Sequence, residues 1–236
     1  MTRELELAAS LDRTRERLAA ACRAAGRDPA DVMLLPVTKF FPASDVEILY
    51  RLGCRDFGES REQEASAKVE QIDVPDPIRW HMIGRLQRNK ARSVAHWAYA
   101  IHSVDSARLV AALGTAVERE FDEGGRRDPL RVLLQVSLDA DPDRGGVLPD
   151  DIPALAETVS GTAHLELRGL MAIPPLGADP AASFERLAQL HTELLRAHPA
   201  ATELSAGMSG DLEIAVEYGS TCVRVGTALL GTRPIN

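Results

Sequence analysis

The chain has 236 residues, 45% of them hydrophobic and only 4% aromatic, with 27 Lys plus Arg against 35 Asp plus Glu and a formal net charge of −8. A chain this long buries enough surface to stand without a metal or disulfide staple, and its acidic balance argues against nucleic acid and against an anionic membrane as partner. No apolar run reaches the ~18 residues of a membrane span, MTRELELAAS has acidic residues where a signal peptide has its apolar core, and Cys22, Cys54 and Cys222 show no disulfide or metal spacing. The expectation is a cytoplasmic protein without a metal site.

The first 26 residues predict an amphipathic helix, with Leu7, Ala8, Leu11, Leu18, Ala19 and Cys22 at helical spacing and Gly26 as its stop. A strand over 31–37 (DVMLLPV) follows, then TKFFP. A helix over 44–52 leads into a strand at 54–58, and one over 61–72 leads into IRWHMIG at 78–84. Residues 86–96 read as a helix and 98–104 as a strand. A helix over 105–121 starts with Asp105 as N-cap. Then come a strand at 130–138, a helix at 151–159, a strand at 164–171 and a helix at 181–198. The chain finishes with a strand at 202–207, a helix at 211–218, a strand at 221–226 and a short helix at 227–230.

Eight strands alternating with helices imply parallel strands joined by crossovers. Their number and spacing fit a single-domain (β/α)₈ barrel over 1–236 with an extra N-terminal helix, ahead of an open doubly wound sheet. Two loops are less regular: EGGRRD at 123–128 is a polar turn, and 139–149 follows the fifth strand, where a barrel places active-face loops.

Three groups of residues invite chemistry. Lys39 sits just past the first strand, where partial burial favours the neutral, nucleophilic amine; a snorkelling lysine is the plain alternative. SAGMSGD (205–211) and VGT (225–227) follow the last two strands. Gly207, Gly210 and Gly226 allow close backbone approach there, and Ser205 and Ser209 offer hydroxyls, at the position where barrels bind phosphate. Arg224 interrupts an apolar strand on the face of Cys222 and Gly226, and so needs a ligand or a core carboxylate such as Glu213 or Glu217. His81 reads first as a core or rim histidine, and the basic stretch 84–92 as a solvated face. Metal and serine hydrolase motifs do not occur.

VTKFFPASDV (37–46), FGESREQEA (57–65), WHMIGRLQRNK (80–90), RGLMAI (168–173), LSAGMSGDLEIAVEYGST (204–221) and VRVGTALLG (223–231) resemble the pyridoxal phosphate homeostasis proteins, the YggS/PROSC-like family. The resemblance implies a fold-type III barrel like the N-terminal domain of alanine racemase, binding pyridoxal 5′-phosphate (PLP). It implies Lys39 as the Schiff-base lysine and Ser205, Gly207, Met208, Ser209, Gly226 and Thr227 around the phosphate. It also implies Arg224 facing the pyridine nitrogen, with Ser60, His81 and Met171 as further candidate contacts. The family is understood to buffer and deliver the cofactor, apo PLP-dependent enzymes being its transient partners, as a monomer without turnover. Thr38 stands where most members have Ser, Ser60 where FGEN is commoner, and DPDRGG (141–146) replaces the usual Ser-Lys-x-Gly.

An arginine on the ring nitrogen leaves it unprotonated and a poor electron sink. The sequence runs only ten residues past Gly226, so no second domain with an acid/base tyrosine is expected, and Tyr50, Tyr99 and Tyr218 lie in no mouth loop. Two rivals remain: a low-activity PLP-dependent racemase or transaminase, and a phosphometabolite barrel enzyme without PLP.

Overall fold

The computed structural model describes residues 2–141 and 144–232. Eight parallel strands run β1 (Met33–Pro36), β2 (Asp56–Glu59), β3 (Arg79–Met82), β4 (Ala98–Val104), β5 (Leu130–Gln135), β6 (Leu165–Met171), β7 (Glu203–Ser205) and β8 (Cys222–Val225). Their hydrogen-bonded order is β1-β8-β7-β6-β5-β4-β3-β2. The remaining seam, between β1 and β2, closes just past the strand ends: Val37 bridges Gly58, and the Thr38 N–H donates to the Gly58 carbonyl at 3.0 Å. The sheet is therefore a barrel rather than an open doubly wound layer.

Helices α2 (Ala43–Arg51), α3 (Glu62–Gln71), α4 (Ala91–Trp97), α5 (Ala107–Asp122), α6 (Ile152–Ser160), α7 (Pro180–Ala197), α8 (Leu212–Glu217) and α9 (Thr227–Leu230) follow successive strands, as parallel pairing requires. The extra helix α1 (Arg3–Ala24) buries Leu7, Leu11, Leu18 and Cys22 against α2, α8 and α9. Arg3 pins its start to Asp45 of α2 at 2.6 Å, and Arg17 pins its middle to Glu213 of α8. No helix among the described residues is long and apolar enough to cross a membrane, and no cluster of potential metal ligands is found among them.

Three boundaries differ from the sequence expectations. The basic run after β3 forms a 3₁₀ turn at Arg88–Lys90 before α4 begins, since no side chain caps a longer helix there. α5 starts at Ala107 with Ser106 in the N-cap position and no side-chain cap, so Asp105 is not the cap. β5 ends at Gln135 because Val136 turns to bridge Val147, with the Ser137 N–H donating to the Val147 carbonyl at 2.9 Å.

Candidate functional site

Lys39 stands on a tight turn at the end of β1. The Phe41 N–H donates back to the Thr38 carbonyl at 3.1 Å, and Phe40, third in the turn, has φ +69°. That is the conformation a type II turn demands and one that a bulky residue adopts only under constraint. The constraint is visible: the Phe40 N–H donates to Glu64 Oε1 at 2.5 Å, and the Arg61 guanidinium covers the Phe40 ring at 4.5 Å. Beneath the turn, the Thr38 hydroxyl donates to Glu59 Oε1 at 2.6 Å. Lys68 Nζ donates to the Thr38 carbonyl (2.7 Å), Glu59 Oε1 (2.7 Å) and Glu64 Oε1 (2.8 Å). Burial pushes the Glu59 carboxyl up against the pull of Lys68, and Glu59 Oε2 has no hydrogen-bond partner. The backbone that carries Lys39 is thus clamped from β2 and α3.

The sequence holds three lysines. Lys68 is buried among two carboxylates and the Thr38 carbonyl, directly beneath this turn. Lys90 lies 3.1 Å from Glu62, and these two line a cleft with Ser60 and Arg61. Lys39 stands on the turn itself, half-buried.

Arg224 lies on β8 in register with Leu35 of β1, so it neighbours the strand that ends in Lys39. Val223 and Val225 on the opposite face pack with Leu212, Val216 and Leu229 in the helix layer, as two-residue alternation requires. The guanidinium is 4% exposed. It donates from Nη1 to Ser205 Oγ at 2.7 Å and from Nη2 to the Ala172 carbonyl at 2.9 Å. Both partners are neutral, and Glu213, a carboxylate candidate from the sequence, pairs with Arg17 instead. Burial pushes the Arg224 guanidinium down from its ordinary value. A buried cation with spare donors and, among the described residues, no carboxylate bonded to it suits a ligand acceptor.

Ser205 is fully buried at the end of β7, its hydroxyl engaged by Arg224 and by His102 Nδ1 at 2.9 Å. In this structure the hydroxyl braces Arg224. The remaining phosphate candidates do gather at one rim. Gly207 has φ +89°, and a Cβ there would meet that of Ala215 at 2.6 Å, so only glycine fits the turn into α8. The Met208 N–H donates to Asp211 Oδ1 at 2.6 Å. Ser209 Oγ lies 3.4 Å from the Ala228 N–H, placing its hydroxyl at the start of α9. Arg17 fixes this loop by donating to the Ser209 carbonyl at 2.7 Å. α9 begins at Thr227 after Gly226, whose carbonyl accepts from the Leu229 and Leu230 N–H groups, while the Ala228 N–H meets Ser209.

His81 is buried in a chain of polar groups: His81 Nδ1 lies 2.9 Å from His102 Nε2, and His81 Nε2 lies 3.1 Å from Asp56 Oδ1. Met171 is fully buried at the end of β6, in register with Ser205. Ser60 is half-buried, and its carbonyl is approached so closely by Gly84 that a Cβ there would lie 2.2 Å away. Ser60 lines a cleft of about 1460 Å³ on the β2–β4 side of the mouth, shared with Arg61, Met82, Arg85, Arg88 and Arg108; Lys39 and Arg224 do not line it. Within 139–149, Arg144 donates to the Ile173 and Pro174 carbonyls and pairs with Asp139, while residues 142–143 of DPDRGG lie outside the described residues.

Sequence reading missed Asp56, Glu59, Lys68 and His102. The detectable signal was polarity in the wrong place: His102 inside the apolar strand AYAIHSV, and Lys68 three residues from Ala65 on the buried face of α3.

These features define a (β/α)₈ barrel of the alanine racemase N-terminal type, with a lysine and a buried arginine on neighbouring strands. The family model of the alanine racemase N-terminal domain matches residues 9–234. A pyridoxal phosphate homeostasis protein of Mycobacterium tuberculosis is 54% identical over 243 residues, covering 98% of this chain and 94% of that protein. One from Corynebacterium glutamicum is 46% identical, covering 93% and 98%. Among solved structures, PipY of Synechococcus elongatus, determined with PLP bound, has a TM-score of 0.79 at 37% identity, covering 92% of this chain and 99% of that one. Alanine racemase of Corynebacterium glutamicum, at 14% identity and TM-score 0.66, shares the fold. The chain belongs to the pyridoxal phosphate homeostasis protein family.

Proposed function

We propose that this protein binds pyridoxal 5′-phosphate and serves as a cytoplasmic carrier and buffer of that cofactor, not as an enzyme. The observation that carries the reading is the pairing of β1 with β8, which sets the mouth lysine, Lys39, beside a strand whose arginine is buried without a carboxylate. In this reading Lys39 holds the cofactor's aldehyde covalently through its amine. Ser209, Gly226 and Thr227 receive the phosphate with backbone N–H groups and a hydroxyl, and Gly207 and Met208 shape the rim. Arg224 donates to the ring nitrogen.

Bound PLP supplies an electron-withdrawing ring whose pull depends on protonation of that nitrogen. Arg224 offers hydrogen bonds but no readily transferred proton, which favours storage over carbanion chemistry. The tyrosines support the same side. Tyr50 bonds Asp76 near α2, Tyr99 packs between His81 and Arg131 at the start of β4, and Tyr218 ends α8, so none stands at the mouth as a second acid/base group. The carrier would act as a monomer, delivering PLP to apo enzymes. Adding PLP should produce a visible absorption band that borohydride bleaches. Lys39→Ala should lack it, and incubation with amino acids should give no turnover. Racemisation that Lys39→Ala abolishes would favour the enzyme reading, and a protein that never colours would end the cofactor reading.

A further inference from the structure

A polar column crosses the barrel interior, and the function described above leaves most of it unused. It starts at the N-terminal rim, where Asp56 pairs with Arg79 at 2.5 Å. It then runs through His81 on β3 and His102 on β4 to Ser205 on β7 and Arg224 on β8. His81, His102, Ser205 and Arg224 are each at most 4% exposed.

The donor and acceptor chemistry sets a consistent order of protons along the column. Arginine only donates, so Ser205 Oγ accepts from Arg224 Nη1 and can give its own proton to His102 Nδ1 or to the neighbouring Cys222 sulfur. With that proton directed at His102 Nδ1, His102 carries its hydrogen on Nε2, directed at His81 Nδ1. His81 in turn carries its hydrogen on Nε2, directed at Asp56 Oδ1. The far end imposes the same polarity independently, because an ionised carboxylate only accepts. Burial raises the Asp56 carboxyl, but hydrogen bonds from His81 and Arg79 outweigh it and hold the group at about 2. Burial above all, with the Arg224 charge, keeps His102 well below the usual histidine range.

One other neighbour competes: the Cys222 thiol, held protonated at about 12 by burial, is a weak acceptor within hydrogen-bond reach of Ser205. The Tyr99 ring meets His81 edge-on, and Arg79 and Arg131 lie over that same ring. Among the described residues no second carboxylate hydrogen-bonds either imidazole.

We propose that Asp56 is a positioning residue for Arg224. Its carboxylate fixes the tautomers of both histidines, and they turn the Ser205 hydroxyl so that its lone pair holds the guanidinium at the barrel mouth. The reversed column would set a lone pair of His81 against the carboxylate. It would also release the Ser205 proton from His102. Asp56→Asn removes the bias, because an amide can accept or donate at the same place. Only the last link, from Arg224 to a ligand, rests on the cofactor reading.

The test is imidazole ¹⁵N NMR on the full chain without PLP at about pH 7.5, followed by PLP titration. Wild type should show both His81 and His102 neutral with hydrogen on Nε2. Hydrogen on Nδ1 of either, or a cationic His102, overturns the proposal. In Asp56→Asn, His102 should become mixed or reversed and PLP should bind about tenfold more weakly, the scale of a misdirected hydrogen bond from a charged group. Arg79→Met keeps the carboxylate, so it should keep both tautomers and hold PLP affinity within about twofold. An unchanged His102 tautomer in Asp56→Asn, or the same change in Arg79→Met, would also overturn it. The tautomers are read without cofactor, so failure to bind PLP would sink the carrier reading and leave this result standing.

Discussion

Two arcs of the barrel wall are built differently. Along β5 and β6, Leu130, Val132, Leu134 and Leu170 are all fully buried and apolar, joined to the core under α5, α6 and α7. On the arc from β2 through β1 to β8, the equally buried set includes Thr38, Glu59 and Arg224, with Lys68 reaching in from α3. The first arc holds by volume, and any side chain of similar shape would serve it. The second holds by direction, since each group has a named donor or acceptor. Stability is concentrated in one arc and ligand chemistry in the other, so the contrast can be broken from either side.

The largest stability loss belongs to the apolar arc. Leu134→Ala should cost about 4 kcal/mol in denaturant unfolding, through lost transfer energy and a cavity, while leaving PLP affinity intact if the protein stays folded. On the polar arc, Lys68→Met leaves Glu59 buried without its cation and should cost about 3 kcal/mol. It should also loosen the Lys39 turn, read as slower appearance of the visible band. Arg224→Met sharpens the contrast most, because it removes a buried cation that has only neutral partners. Without ligand it should leave unfolding stability unchanged or higher, while PLP binds at least about tenfold more weakly.

Two contributions to the pH dependence share a sign, and Glu59, raised by burial, opposes them. Asp56 is held at about 2, below its ordinary 3.8, so the stability it contributes is complete above pH 4 and is lost as pH falls through that window. His102 and His191 are pushed down by burial, so below about pH 6.5 the unfolded chain takes up protons that the folded chain refuses. Stability should decline from pH 7 toward 5, and Asp56→Asn should flatten only the acid end. At the smallest end, Arg119→Ala breaks an exposed pair with Glu123 on α5 and should leave the melting temperature unmoved.

The alternation of strands and helices was legible because parallel strands must be spaced by crossovers, and each apolar run kept its period. Lys39 and Arg224 were legible for a related reason: each breaks an apolar pattern at a strand end, where the barrel gathers chemistry. The Ser205 bond to Arg224 was not legible, since nothing local says that Arg224, 19 residues on, takes its hydroxyl. Asp56 and His102 stayed hidden because their meaning is a contact between strands, with His81 meeting one 25 residues before it and the other 21 after. The Asp105 cap failed because Ser106 takes the N-cap position one residue later.

The central claim, that Lys39 is the covalent holder of PLP, is tested most directly by mass. The full-length protein would be mixed with PLP, reduced with borohydride and digested, and the modified peptide identified by mass spectrometry. Only three lysines compete, Lys39 on the turn after β1, Lys68 buried beneath it and Lys90 beside Glu62. The account predicts one phosphopyridoxyl group per chain, on Lys39. Label on Lys68 or Lys90, or scattered at equal yield over all three, would contradict it.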